Sequence, residues 1–95
     1  MAQPTQPPAP PLPAGFKIVY DGTVLQSFYA AEMLRPYIGR TVFVRDSGGR
    51  TRNGELRSVP TVREDQEAKS PAEFVDERPL FLRGIVCIAM YEPPK

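Results

Sequence analysis

Residues 41–56 read TVFVRDSGGRTRNGEL, and this stretch decides the architecture. Val42 and Val44 alternate toward Arg45 and Asp46, Ser47-Gly48-Gly49 breaks the run, and a second polar-edged run continues through Gly54, Leu56 and Val59 until Pro60 stops it. A period of two on each side of a Ser-Gly-Gly turn is the pattern of a β-hairpin, because successive side chains of a strand point to opposite faces and glycine supplies turn conformations at no steric cost.

The same period appears upstream. Phe16, Ile18 and Tyr20 alternate with Lys17 and Val19, Asp21-Gly22 interrupts, and Thr23-Val24-Leu25 resumes, which predicts a first hairpin with an Asp-Gly turn. Ser27 is placed to cap a helix over about residues 28–35. Phe28, Ala31, Leu34 and Ile38 form its apolar stripe, Pro36 disturbs it and Gly39 ends it. Downstream, Ser70-Pro71-Ala72-Glu73 has a capping serine, a proline at the first helical position and a glutamate for a capping box, so a helical turn over Phe74 and Val75 is expected. Leu80, Phe81 and Leu82 then lead through Arg83-Gly84 into Ile85–Tyr91, the most apolar run of the chain. That run reads as a strand buried on both faces or as one at a subunit interface, with Ile85, Cys87 and Ala89 as the self-association residues.

Residues 1–14 differ in kind: six prolines, two glutamines and no charged side chain. They are read as a proline-rich arm sampling polyproline II, followed by one domain over residues 15–92 and a short tail over 93–95. Pro7 to Pro10 and Pro10 to Pro13 have PxxP spacing, yet no basic residue flanks them before Lys17, so a tether is the preferred role. About 80 residues make a small core, and extra burial from other copies or a larger assembly is expected.

Composition removes most chemistry. The chain has no histidine and one cysteine, Cys87, which excludes disulfide frameworks, Cys/His zinc sites, Ser-His-Asp triads and Cys-His dyads within one chain. Asp76-Glu77 reads as a solvated carboxylate pair, and Gly48-Gly49-Arg50 lacks the lysine and hydroxyl residue of a phosphate loop. The expectation is a protein that is not an enzyme, with no metal, cofactor or small-molecule substrate. No apolar run reaches the ~18 residues of a membrane span, so a cytoplasmic location is expected, or a virion if the chain is of phage origin.

The formal net charge is +1, but it is unevenly spread. Arg35, Arg40, Arg45, Arg50, Arg52 and Arg57 face only Asp46 and Glu55 over one segment. Over the next, Glu64, Asp65, Glu67, Glu73, Asp76 and Glu77 outnumber Arg63, Lys69 and Arg78. Such asymmetry fits a phosphate-binding face and, equally, copies that pack through opposite charges.

A short helix, then Leu34, Ile38-Gly39-Arg40, Val42, Val44, the Gly48-Gly49-Arg50 turn and Gly54-Glu55-Leu56, resembles the first motif of Sm-like proteins. Arg83-Gly84 before an apolar strand resembles the second, so the likeness spans Leu34 to Met90. It implies a mainly β chain forming a small Sm-like or SH3-like barrel, with a short helix, ring-like self-association and an extra N-terminal hairpin. The base-reading asparagine of the family has no counterpart in Ser58-Val59-Pro60-Thr61-Val62. Arg83 and Gly84 are what the resemblance carries over as RNA contacts, with Arg83 also placed to pair with the acidic segment. Arg50 and Arg52 are phosphate-neutralising residues from the charge pattern, and Tyr37 or Tyr91 would stack on a base. The resulting expectation is a non-catalytic oligomeric binding and assembly module, a homo-oligomer or a subunit of a larger viral or phage particle. An Sm-like RNA-binding or RNA-chaperone protein is the alternative.

Overall fold

A computed structural model describes residues 12–93. Its elements are β1 (Phe16–Leu25), α1 (Ser27–Leu34) with a 3₁₀ turn over Arg35–Tyr37, β2 (Thr41–Asp46), β3 (Thr51–Ser58), β4 (Ala72–Phe74), β5 (Glu77–Leu80) and β6 (Ile85–Tyr91). All pairings are antiparallel, and the strands form one six-stranded sheet in the order β1-β6-β2-β3-β4-β5. The chain is mainly β, as its periodicity predicts. The sheet is not closed: β1 and β5 are its two outer strands.

The hairpin read from residues 41–56 is present, with Val42 opposite Gly54 and Val44 opposite Arg52. Val42, Val44 and Leu56 point to one face, where they pack with Ala30, Ala31 and Leu34 of α1 and with Ile85 and Ile88 of β6. Burying side chains of this size stabilises by roughly 1.5–3 kcal/mol each. The long connection from β3 to β4 contributes Val62 and Ala68 to the same core.

Four local expectations are corrected. Residues 16–25 are one strand and not a hairpin: the Asp21-Gly22 step is an irregularity in the pairing of β1 with β6, lying between Asp21 opposite Cys87 and Leu25 opposite Ile85. The Tyr20 hydroxyl donates to the Thr23 carbonyl at 2.6 Å, so the extra residues close locally instead of reversing the chain. Residues 72–74 are strand β4 and not a helical turn, because Ala72 and Phe74 enter the core, and a two-residue turn at Val75-Asp76 leads to β5 with Asp76 at φ 58°. A helix there would turn one of these two apolar side chains away from the sheet.

Helix α1 begins one residue earlier than predicted, with Gln26 at its N-cap position and no side-chain cap. Ser27 is buried, and its hydroxyl donates instead to the Leu82 carbonyl at 2.6 Å, fastening the helix to the segment before β6. Ser27→Ala leaves that carbonyl without its partner, and a loss of about 1–3 kcal/mol is expected in urea unfolding. An unchanged midpoint would mean that the bond carries no net stability. Ile38, assigned to the helix stripe, is exposed past the end of the 3₁₀ turn.

The opposite face of the sheet carries a second, smaller cluster of Phe43, Cys87 and Ala89, with Phe16 and Leu12 against it. Both faces are served by β6 because a register shift opposite Arg45 and Asp46 displaces the alternation. Ile85 and Ile88 face the helix, while Cys87 and Ala89 face away. Leu12, in the segment read as the proline-rich arm, packs against this cluster. Residues 1–11, with the Pro7 to Pro10 spacing, and residues 94–95 of the tail lie outside the described residues. Among the described residues no helix is long and apolar enough to cross a membrane.

Candidate binding surfaces

The β2–β3 tip is built around Asp46. This buried carboxylate accepts the Gly48 and Arg50 backbone N–H groups through one oxygen, both at 2.9 Å, and its other oxygen lies 3.9 Å from the Arg50 guanidinium. An aspartate just before Ser-Gly-Gly is the sequence signal for such a turn. The Arg50 side chain is 75% exposed and projects from the tip.

Gly84 lies against the same tip. The Ser47 backbone N–H donates to its carbonyl at 2.7 Å, its φ is +69°, and a Cβ there would sit 2.9 Å from the Ser47 hydroxyl oxygen. The structure therefore brings Gly84 and the Arg50 turn together.

Arg52 and Arg83 go elsewhere. Arg52 donates through Nε to the Arg78 carbonyl in β5 at 3.0 Å and through Nη1 to the Thr51 carbonyl at 2.7 Å. Arg83 donates to the Ala68 carbonyl at 3.1 Å, lies 3.7 Å from Glu67 and spans the Phe81 ring at 5.4 Å from its centroid. Both guanidinium groups are engaged in tying segments of the fold together. Tyr37 packs against the main core and Tyr91 stacks edge-on against Phe16.

Ile85, Cys87 and Ala89 are buried in β6, whose two edges pair with β1 and β2. Contact with a further copy through this strand would require β1 or β2 to leave it. Cys87 stands between Asp21 and Arg45, which approach each other to 3.9 Å across it. Burial pushes the thiol up, Asp21 adds to the rise and Arg45 opposes it, so the group is held as a poor nucleophile at neutral pH.

Three surfaces were not singled out from the sequence. Along the outer strand β1, Ile18 is 49% and Val24 57% exposed. On the second sheet face, Phe16 makes edge-to-face contacts with Phe43 at 6.3 Å and Tyr91 at 5.5 Å between ring centroids. The unbroken Val42-Phe43-Val44 triplet is the signal for that face, since a strand with one solvated face would place a polar residue between the valines. A cleft of about 350 Å³ also opens between Val24, Leu25, Ser27, Glu64, Glu67 and Arg83. Its lining carries carboxylates beside one guanidinium. Among the described residues no group of three or more Cys, Asp or Glu side chains could hold a metal ion.

No protein-family model matches the chain, and no curated protein or solved structure is similar to it.

Proposed function

We propose that this chain is a non-catalytic binding and assembly module that associates with other copies or other subunits through the β1 side of its sheet. The carrying observation is the ten-residue outer strand β1, which presents Ile18 and Val24 to solvent and has no neighbour beyond it among the described residues. Unpaired backbone groups on an outer strand pair readily with another chain. The opposite edge suits this less, because β5 is four residues long and contains Pro79, Glu77 and Arg78. The two irregularities in β1 limit added pairing to short ladders, which favours a contact of defined register over open-ended stacking.

The Sm-like or SH3-like reading is supported by the run of five strands after α1, with β6 returned to pair with β2. The RNA-binding alternative is supported by Arg50, whose side chain is 75% exposed at the tip beside Asp46 and within reach of a phosphate. A single such contact gives weak, salt-sensitive affinity, so it stands second.

Light scattering of the whole chain, alone and with single-stranded RNA at low and high salt, separates these readings. The assembly reading expects a mass above that of one chain, lowered by Val24→Lys and indifferent to RNA. A monomer at micromolar concentration overturns it. RNA uptake that falls with salt and with Arg50→Ala gives the function to the alternative.

A further inference from the structure

Most small domains bury an apolar sheet face against another layer, and here the second face has only the start of one. Its rows run Phe16 and Tyr91 across neighbouring strands, then Ile18, Ala89, Phe43 and Asn53. Leu12 packs on this cluster and Pro13 is half-buried, while Ile18 remains 49% and Tyr91 37% exposed. The chain therefore enters the face at Leu12, coming directly from residues 1–11.

We infer that the strip formed by Phe16, Ile18, Phe43 and Tyr91 is the docking site for residues 1–11 of the same chain, which complete the second layer begun by Leu12. The chemistry of the segment suits this. It has five prolines, no charged side chain, and alanine, methionine and glutamine for the rest apart from Thr5. Proline rings bury apolar surface against aromatic rings with little backbone entropy left to lose. Proline also has no N–H, so such a segment brings few donors that need partners. Its carbonyls need donors at the rim, and Asn53, directly opposite Phe43, offers an amide there. Reach is ample, since eleven residues of polyproline II extend about 34 Å and β1 to β3 is about 14 Å across three strand spacings. The inference does not rest on assembly: a monomer can satisfy it.

The test is NMR on the full chain, with equal parts isotope-labelled and unlabelled protein. Expected are NOEs from proline Hδ protons of residues 4–11 to the rings of Phe43 and Tyr91, found within one chain only. In Pro8→Asp, Pro11→Asp these are lost, and the Phe43, Ala89 and Ile18 signals shift while those of Leu56 and Leu34 stay in place. Ile18→Ser, at a half-exposed position that leaves the main core intact, weakens the same NOEs. The inference is overturned by absent NOEs with unmoved Phe43 and Ala89 signals in the aspartate variant. It is equally overturned by NOEs found only between labelled and unlabelled chains, which would place the segment on a second copy.

Discussion

Ile88→Ala is expected to lower the unfolding free energy by about 2–5 kcal/mol, the range for truncating a buried isoleucine, with a value in the upper half. Ile88 is fully buried in β6, directly opposite Tyr20 of β1 and Val44 of β2, and it faces the helix side of the sheet. A backbone held on both edges by ladders has little freedom to collapse into the space left by three carbons, and the cavity term stays large when the surroundings cannot relax. A domain of about 80 residues has roughly 4–12 kcal/mol in total, so this one truncation removes a substantial share of the whole. Ile88→Val, which removes one methyl group, should cost about 0.5–1.5 kcal/mol. Urea unfolding followed by circular dichroism measures both. A loss under 1 kcal/mol for the alanine variant would show that Ile88 does not pack between β1, β2 and the helix as described.

What the sequence disclosed, it disclosed through periodicity. Val42, Val44 and Leu56 announced the central hairpin because one face of it is strictly apolar, and the Ile85–Tyr91 run announced a strand covered on both sides. Where local chemistry has two uses, the reading followed the commoner one and tertiary packing chose the other. Asp21-Gly22 favours a two-residue hairpin turn, but Leu25 still pairs with Ile85, so the strand runs on and absorbs the extra residues as an irregularity. Ser70-Pro71-Ala72-Glu73 carries a helix-start signal, yet Ala72 and Phe74 are both needed in the core, and only a strand points both inward at a spacing of two. Ser27 is a capping residue by type and a tertiary hydrogen-bond donor in fact.

The binding surfaces were less legible for a related reason. Charge along the sequence marked Arg50 and Arg52 and the resemblance added Arg83, but a guanidinium is assigned by the carbonyl or carboxylate it meets, and Arg78, Ala68 and Glu67 come from segments 15 to 26 residues away. The apolar second face depends on the register shift near Val86, which no alternation in Ile85–Tyr91 records.

Gly84→Ala separates the two meanings of the Arg83-Gly84 pair, and a loss of about 2–3 kcal/mol is expected. Part of the cost is conformational: φ at +69° lies in the left-handed region, worth about 1–2 kcal/mol for alanine relative to its preferred backbone. The remainder is steric and small: the new Cβ would sit 2.9 Å from the Ser47 hydroxyl oxygen, and because the Ser47 N–H is bound to the Gly84 carbonyl at 2.7 Å, relief comes from turning that hydroxyl to another rotamer. Ser47→Ala removes the hydroxyl and leaves the backbone bond in place. In that background Gly84→Ala should cost only the conformational part, about 1–2 kcal/mol, and the difference between the two backgrounds is the contact itself. If glycine is required here because the β2–β3 tip presses on it, stability falls in this graded way and partner binding falls only as far as the fold does. A Gly84→Ala chain that unfolds like the parent and yet loses salt-sensitive RNA uptake would return the Arg83-Gly84 pair to the RNA-contact role that its sequence resemblance implies.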